Sequence, residues 1–151
     1  MNNKRILIIG LGLIGGSYAK RLSSLGYEVF AISDKGSDID SAKEDGVIVD
    51  GYTSVSEEII SSFDRMVFAL YPLAFLSWME RYANLLRRGT IITDVTGVKR
   101  GIVYEITPRL PAGVEFIASH PMAGKQKSGY EYSSASLFEG RNYLTSSQPP
   151  S

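Results

Sequence analysis

The sequence predicts an α/β fold, a single domain on a doubly wound, mostly parallel sheet. Three observations carry that prediction. Solid apolar runs at residues 6–9 (ILII) and 66–70 (MVFAL) read as strands buried on both faces, as parallel strands are. Segments with helical spacing alternate with such runs, and that alternation implies parallel strands joined by helical crossovers. A glycine-rich turn, Gly10 to Gly15, links the first run to the first helical segment. The length, 151 residues, suits one domain with a core of its own.

Each element follows in order. Residues 6–9 form a strand that ends at glycine. Residues 13–25 are helical, with Ile14, Tyr18, Leu22 and Leu25 on one face and Gly26 as the stop. Residues 28–33 (EVFAIS) form a second strand, and 38–44 a short helix. Residues 47–49 (VIV) are a short strand or an extended link. Residues 56–62 make another short helix, capped by Ser54 or Ser56. The run at 66–70 is a strand, and Pro72 then opens a helix, since proline is tolerated in a first turn. Phe75, Trp78, Tyr82, Leu85 and Leu86 give that helix its buried face, and Arg87, Arg88 and Gly89 end it. A strand at 90–94 (TIITD), a helix at 99–107 stopped near Pro108, and a strand at 114–118 (VEFIA) follow. Residues 124–129 read as a loop, 130–137 as a helix and 142–145 as a last strand. The domain is expected to span residues 1–145, with 146–151 a polar, proline-bearing flexible tail.

Composition excludes several classes of function. Sixteen basic residues balance sixteen acidic ones, so no electrostatic case exists for nucleic acid or an anionic membrane. With no cysteine and one histidine, disulfides, thiolate nucleophiles and a convincing metal site are not expected. No stretch approaches the length of a membrane span, and residues 6–9 are too short for a signal segment. A cytoplasmic location is the expectation.

The turn Gly10-Leu11-Gly12-Leu13-Ile14-Gly15 matches G-x-G-x-x-G between a strand and a helix. The first glycine permits the tight turn, the second lets a diphosphate approach the backbone, and the third lets helix and strand pack closely. Free N–H groups of Gly12, Leu13, Ile14 and Gly15 at the helix start would receive the phosphates. Gly16 extends the stretch without side chains. This is the fingerprint of a Rossmann-type dinucleotide-binding unit. The acid for the adenosine ribose is Asp34, 24 positions after Gly10, with Ser33 as the competing residue. Asp34 favours NAD, while Ser33 with Lys35 leaves NADP open as a cofactor. Tyr71 and Pro72, after the 66–70 strand, are placed at the cofactor crevice; Pro72 is equally explained as a helix starter.

The only histidine, His120, follows VEFIA and so belongs at the carboxyl end of a strand, the edge where open α/β sheets bind ligands. Imidazole is the side chain best suited to proton transfer near neutral pH. Trp78, with Phe75 and Tyr82 at helical spacing, reads as core.

Five segments carry a family resemblance: GLGLIGGS at 10–17, DVTGVK at 94–99, SHPMAG at 119–124, KSG at 127–129 and LFEGRNYLT at 137–145. In order and spacing they resemble the nucleotide-binding domain of the prephenate dehydrogenases, a family that includes arogenate dehydrogenases. The resemblance implies NAD-dependent oxidative decarboxylation of prephenate to 4-hydroxyphenylpyruvate, on the route to tyrosine. It makes His120 the catalytic base. Many relatives have a serine at Gly97 that orients the histidine; the nearest hydroxyl here is Thr96. Substrate residues would be Ser119 and Gln126, the latter beside a position where many relatives carry a glutamate that influences substrate choice. Arogenate as substrate, or a non-catalytic dinucleotide-binding module, are the alternatives. Relatives continue into a helical domain that makes them homodimers and closes the active site over a small-molecule substrate. That domain is absent from this chain, so little or no activity is expected of it in isolation.

Overall fold

The computed structural model describes residues 4–95, 100–121, 129–136 and 143–148, with the backbone alone at 100, 119–121 and 143–148. Seven strands form one sheet: β1 (Arg5–Ile9), β2 (Glu28–Ile32), β3 (Asp50–Tyr52), β4 (Arg65–Phe68), β5 (Ile91–Asp94), β6 (Glu115–Pro121) and β7 (Tyr143–Gln148). Their order is β3-β2-β1-β4-β5-β6-β7. All neighbours pair parallel except β6 and β7, which are antiparallel. The order reverses between β1 and β4, and that is where a doubly wound sheet opens a crevice.

The helices are α1 (Leu13–Ser24), α2 (Gly36–Glu44), α3 (Glu57–Ser61), α4 (Pro72–Tyr82) and α5 (Arg100–Ile106). Alternation along each strand builds two cores. Ile6, Ile8, Val29 and Ala31 point to one face, where Ala19 of α1 and Ile39 and Ala42 of α2 cover them. Leu7, Ile9, Met66, Phe68, Ile92 and Phe116 point to the other, under Phe75, Trp78 and Met79 of α4 and Val103 and Ile106 of α5. Phe68 meets Trp78 edge-on with ring centroids 4.8 Å apart, and Phe75 meets Phe116 at 5.8 Å. Such pairs add specific geometry to the burial of apolar area.

Ser56 caps α3 by accepting a hydrogen bond from the Ile59 N–H at 3.2 Å, which settles the choice between Ser54 and Ser56. Four expectations shift. Residues 47–49 are a link and the strand forms next, at Asp50–Tyr52, against β2. Helix α4 ends at Tyr82 and tightens into a 3₁₀ turn, Ala83–Leu85, before the turn at Gly89 (φ +89°). The predicted helix at 130–137 reduces to one 3₁₀ turn, Tyr130–Tyr132, with no helix through 136. There the Ser133 hydroxyl donates back to the Tyr130 carbonyl, and Ser134 Oγ accepts from the Ser136 N–H. Such local bonds compete with helix formation. The last strand runs to Gln148, so residues 146–148 belong to the sheet instead of a frayed tail.

Candidate functional site: the cleft at the β1–β4 switch point

A cavity of about 750 Å³ opens at the carboxyl ends of β1, β2 and β4. Its floor is the glycine turn. Gly10 has φ +97°, and a Cβ there would lie 2.5 Å from the Ala69 carbonyl oxygen, so only glycine fits between β1 and β4. A Cβ on Gly15 would overlap the Gly10 carbonyl oxygen, so α1 can lie this close to the turn only through glycine. Gly12 differs: among the described residues a Cβ there meets no atom within 4 Å, yet the position lines the cavity. Its missing side chain serves open space, as a diphosphate cradle requires.

Gly12 is also the N-cap of α1, and no side chain caps that end. The first N–H groups of a helix have no intrahelical partner, and the helix dipole places positive charge there. Leu13 and Ile14 are the first two residues of α1. The residues present therefore fit a diphosphate at this helix start.

The second strand delivers Ser33 and Asp34 to the same cavity. Ser33 is buried; its N–H donates to the Tyr52 carbonyl at 3.0 Å and its Oγ accepts from the Lys35 N–H at 3.3 Å. Asp34, next to it, is exposed. Tyr71, 78 % exposed, stands on the opposite wall. Pro72 starts α4 and does not line the cavity, so the helix-starter reading explains it.

Sequence reasoning missed most of one wall. Ala74, Ser77, Trp78 and Arg81 line the cavity from α4, facing Thr53, Ser54 and Val55 after β3. The signal was present: 74, 77, 78 and 81 share a helical face beside the buried stripe of Phe75 and Met79. Trp78 belongs both to the core, as expected, and to this wall.

Ser119 and His120 lie in the last residues of β6, on the same carboxyl edge, with His120 in register with Leu144 of β7. Asp94, fully buried, ends the neighbouring strand β5 and pairs in register with Ala118. Thr96 and Gln126 lie outside the described residues.

A parallel sheet in this order, with a glycine-only, uncapped helix start at its switch point, defines a class: the Rossmann-type nucleotide-binding domains. Within that class the chain belongs to a particular family, described as prephenate dehydrogenase, nucleotide-binding domain, whose model matches residues 18–149. The match begins after the glycine turn, so the turn's reading rests on its own geometry. The prephenate dehydrogenase of Lactococcus lactis subsp. cremoris is 32 % identical over 144 residues, 93 % of this chain and 40 % of that protein. The Aquifex aeolicus prephenate dehydrogenase, solved with hydroxyphenyl propionate and NAD+, superposes with a TM-score of 0.82 at 28 % identity, covering 96 % of this chain and 51 % of that one. Synechocystis arogenate dehydrogenase shares the fold at 24 % identity, TM-score 0.84, over 95 % of this chain and 50 % of that one. The chain thus spans about half the length of these solved relatives and 40 % of the curated one. No helix among the described residues is long and apolar enough to cross a membrane.

Proposed function

We propose that this chain is the nucleotide-binding, histidine-bearing half of an NAD-dependent prephenate dehydrogenase. The observation that carries the proposal is Gly12, an uncapped helix start whose absent side chain leaves open space in a cavity shared with Asp34. NAD, when bound, supplies the hydride acceptor. The α1 N–H groups at Gly12 to Gly15 hold its diphosphate. Asp34 accepts hydrogen bonds from the adenosine ribose, a preference for NAD over NADP, because a 2′-phosphate there would meet a carboxylate. Tyr71 lines the opposite wall.

His120 is the general base. It accepts the proton of the substrate's C4 hydroxyl as hydride leaves that carbon, and loss of carbon dioxide completes aromatisation of the ring. Thr96 helps orient the imidazole, and Ser119 and Gln126 contact substrate. Neutral imidazole is the working form, so the rate falls at low pH. Positioning of reactants can contribute about 7–11 kcal/mol to lowering a barrier. Residues 1–151, which span about half the length of the solved relatives, are expected by themselves to bind NAD but to turn over prephenate very slowly.

The test is a fusion of residues 1–151 to the carboxyl-terminal half of the Lactococcus lactis relative, assayed for prephenate-dependent NADH formation. The fusion is expected to be active, and His120→Asn to reduce its rate by about 10²–10⁴-fold with NAD affinity intact. A folded, NAD-binding fusion that forms no NADH, or a His120→Asn fusion with full activity, contradicts the assignment.

A further inference from the structure

The nucleotide site leaves part of the glycine motif unexplained. Gly16 and Ser17 extend GLGLIG into GLGLIGGS, but neither lines the cavity. They face the other way. A Cβ on Gly16 would lie 2.7 Å from Tyr130 Cδ1 and 2.8 Å from Ser133 Oγ. Ser17 is fully buried, and its Oγ accepts a hydrogen bond from the Ser134 N–H at 3.0 Å. One turn on, Lys20 Nζ donates to the Ser133 carbonyl at 3.0 Å and lies 4.5 Å from the centre of the Tyr130 ring. Tyr130 itself is 4 % exposed, and its hydroxyl donates to the Asp45 carboxylate at 3.0 Å, just past the end of α2. Burial, with the Asp45 carboxylate next, pushes the Tyr130 phenol above its ordinary range, so it remains a donor at neutral pH.

Helix α1 thus has two working faces in its first two turns or so. Gly12 opens to the cavity, while Gly16, Ser17 and Lys20 receive residues 130–134 across more than a hundred positions of sequence. The docked segment begins at Gly129, nine residues after His120. His120 is held on one side by the β6–β7 pairing, and Tyr130 is held on the other against α1, by Gly16 and Lys20, and at its hydroxyl by Asp45. Between β6 and the strand that feeds α1 stand β5 and β4, and the residues just past the carboxyl end of β4 line the cleft. A stretch of chain with both ends fixed samples fewer conformations than one with an end released.

We propose that Gly16, Ser17 and Tyr130 are positioning residues: they form a socket that ties the segment following His120 to the nucleotide-binding helix, so that the histidine is set relative to bound dinucleotide. The proposal rests on the functional reading above, with NAD at α1 and His120 as base. The tie is steric and polar together. Any side chain at Gly16 pushes Tyr130 and Ser133 out, and loss of the Tyr130 hydroxyl leaves Asp45 without this donor.

Because the chain has one histidine, its imidazole Hε1 gives one unambiguous proton NMR signal. The experiment follows that signal as NAD is added to the wild type, Tyr130→Phe and Gly16→Ala, with NAD affinity measured by calorimetry on the same samples. Amide hydrogen exchange over residues 130–134 reports docking. NAD is expected to bind all three proteins within about threefold of each other, and to move the imidazole signal in the wild type. In the variants that movement is lost or strongly reduced, and exchange over 130–134 rises on the order of tenfold or more. Should Gly16→Ala fail to fold, Tyr130→Phe, which removes one oxygen, carries the test. Equal movement of the signal in all three proteins overturns the proposal. So does a parallel loss of NAD affinity, which would make the socket part of the nucleotide site. If the wild type itself fails to bind NAD, it is the functional reading that falls, and the calorimetry shows this separately.

Discussion

At the β1–α1 junction the site is made of absent side chains: Gly10 and Gly15 let strand, turn and helix interpenetrate, and Gly12 leaves the helix start bare. At the ends of β5 and β6 the chain instead places side-chain chemistry, the buried Asp94 and the position of His120. On the proposed reading, the first region meets its ligand with backbone N–H groups, which every residue but proline carries. The second depends on residue identity. A backbone site is therefore broken by adding atoms, and a side-chain site by removing them.

The largest expected effect adds one carbon to the first region. Gly15→Ala forces its Cβ into the Gly10 carbonyl oxygen, and neither group is the movable end of a side chain. Overpacking of this kind costs about 1–3 kcal/mol or more, read by urea unfolding, and displacement of α1 abolishes NAD binding in calorimetry. Wild-type stability and affinity in Gly15→Ala would remove the steric half of the comparison. Asp34→Ala sharpens it, because Asp34 is the one side chain that the first region contributes to recognition. Loss of a charged hydrogen bond predicts about tenfold weaker NAD binding with NADP affinity unchanged or improved. Equal losses for both nucleotides would show that Asp34 does not read the ribose.

Away from both regions, Ser56→Ala removes the α3 cap and is expected to cost about 1 kcal/mol with NAD affinity unchanged. The smallest effect concerns alkaline pH. Folding raises the Tyr130 pKa, so Tyr130 stabilises the fold below the unfolded tyrosine value of about 10, and that stability is lost as pH rises beyond it. Tyr130→Phe should lack this part of the alkaline decline when urea midpoints are compared across pH. Identical declines in both proteins would mean the phenol is not held by burial and Asp45.

The same contrast governs what could be read before any coordinates. The glycine turn was legible because sterics impose it: strand, G-x-G-x-x-G and helix stand where the residues put them, from Arg5 to Ser24. Sheet order was legible in class from the alternation of runs and helices. The short β3 was displaced because Val47, Ile48 and Val49 have strand-like composition, yet the pairing with β2 falls on Asp50–Tyr52. The 130–137 segment misled for a tertiary reason: Tyr130 spends its apolar ring against α1, and serine hydroxyls replace the helical bonds that follow. The α4 wall went unnoticed because Trp78 satisfies both a core pattern and a cavity wall, and periodicity reports only the first. His120 could be assigned to a strand end by its neighbours, but its catalytic role came from resemblance, since one imidazole has no spacing to read.

The account stands most directly on Gly12, and calorimetric titration of NAD into the wild-type chain and Gly12→Ala tests it. No atom of the described residues opposes a Cβ at that position, so the variant should fold with stability within about 0.5 kcal/mol of wild type. The account predicts one saturable site in the wild type and affinity lower by on the order of tenfold or more in the variant, where the methyl group occupies the diphosphate's approach. Equal affinity in the two proteins, or no binding by the wild type, would contradict it.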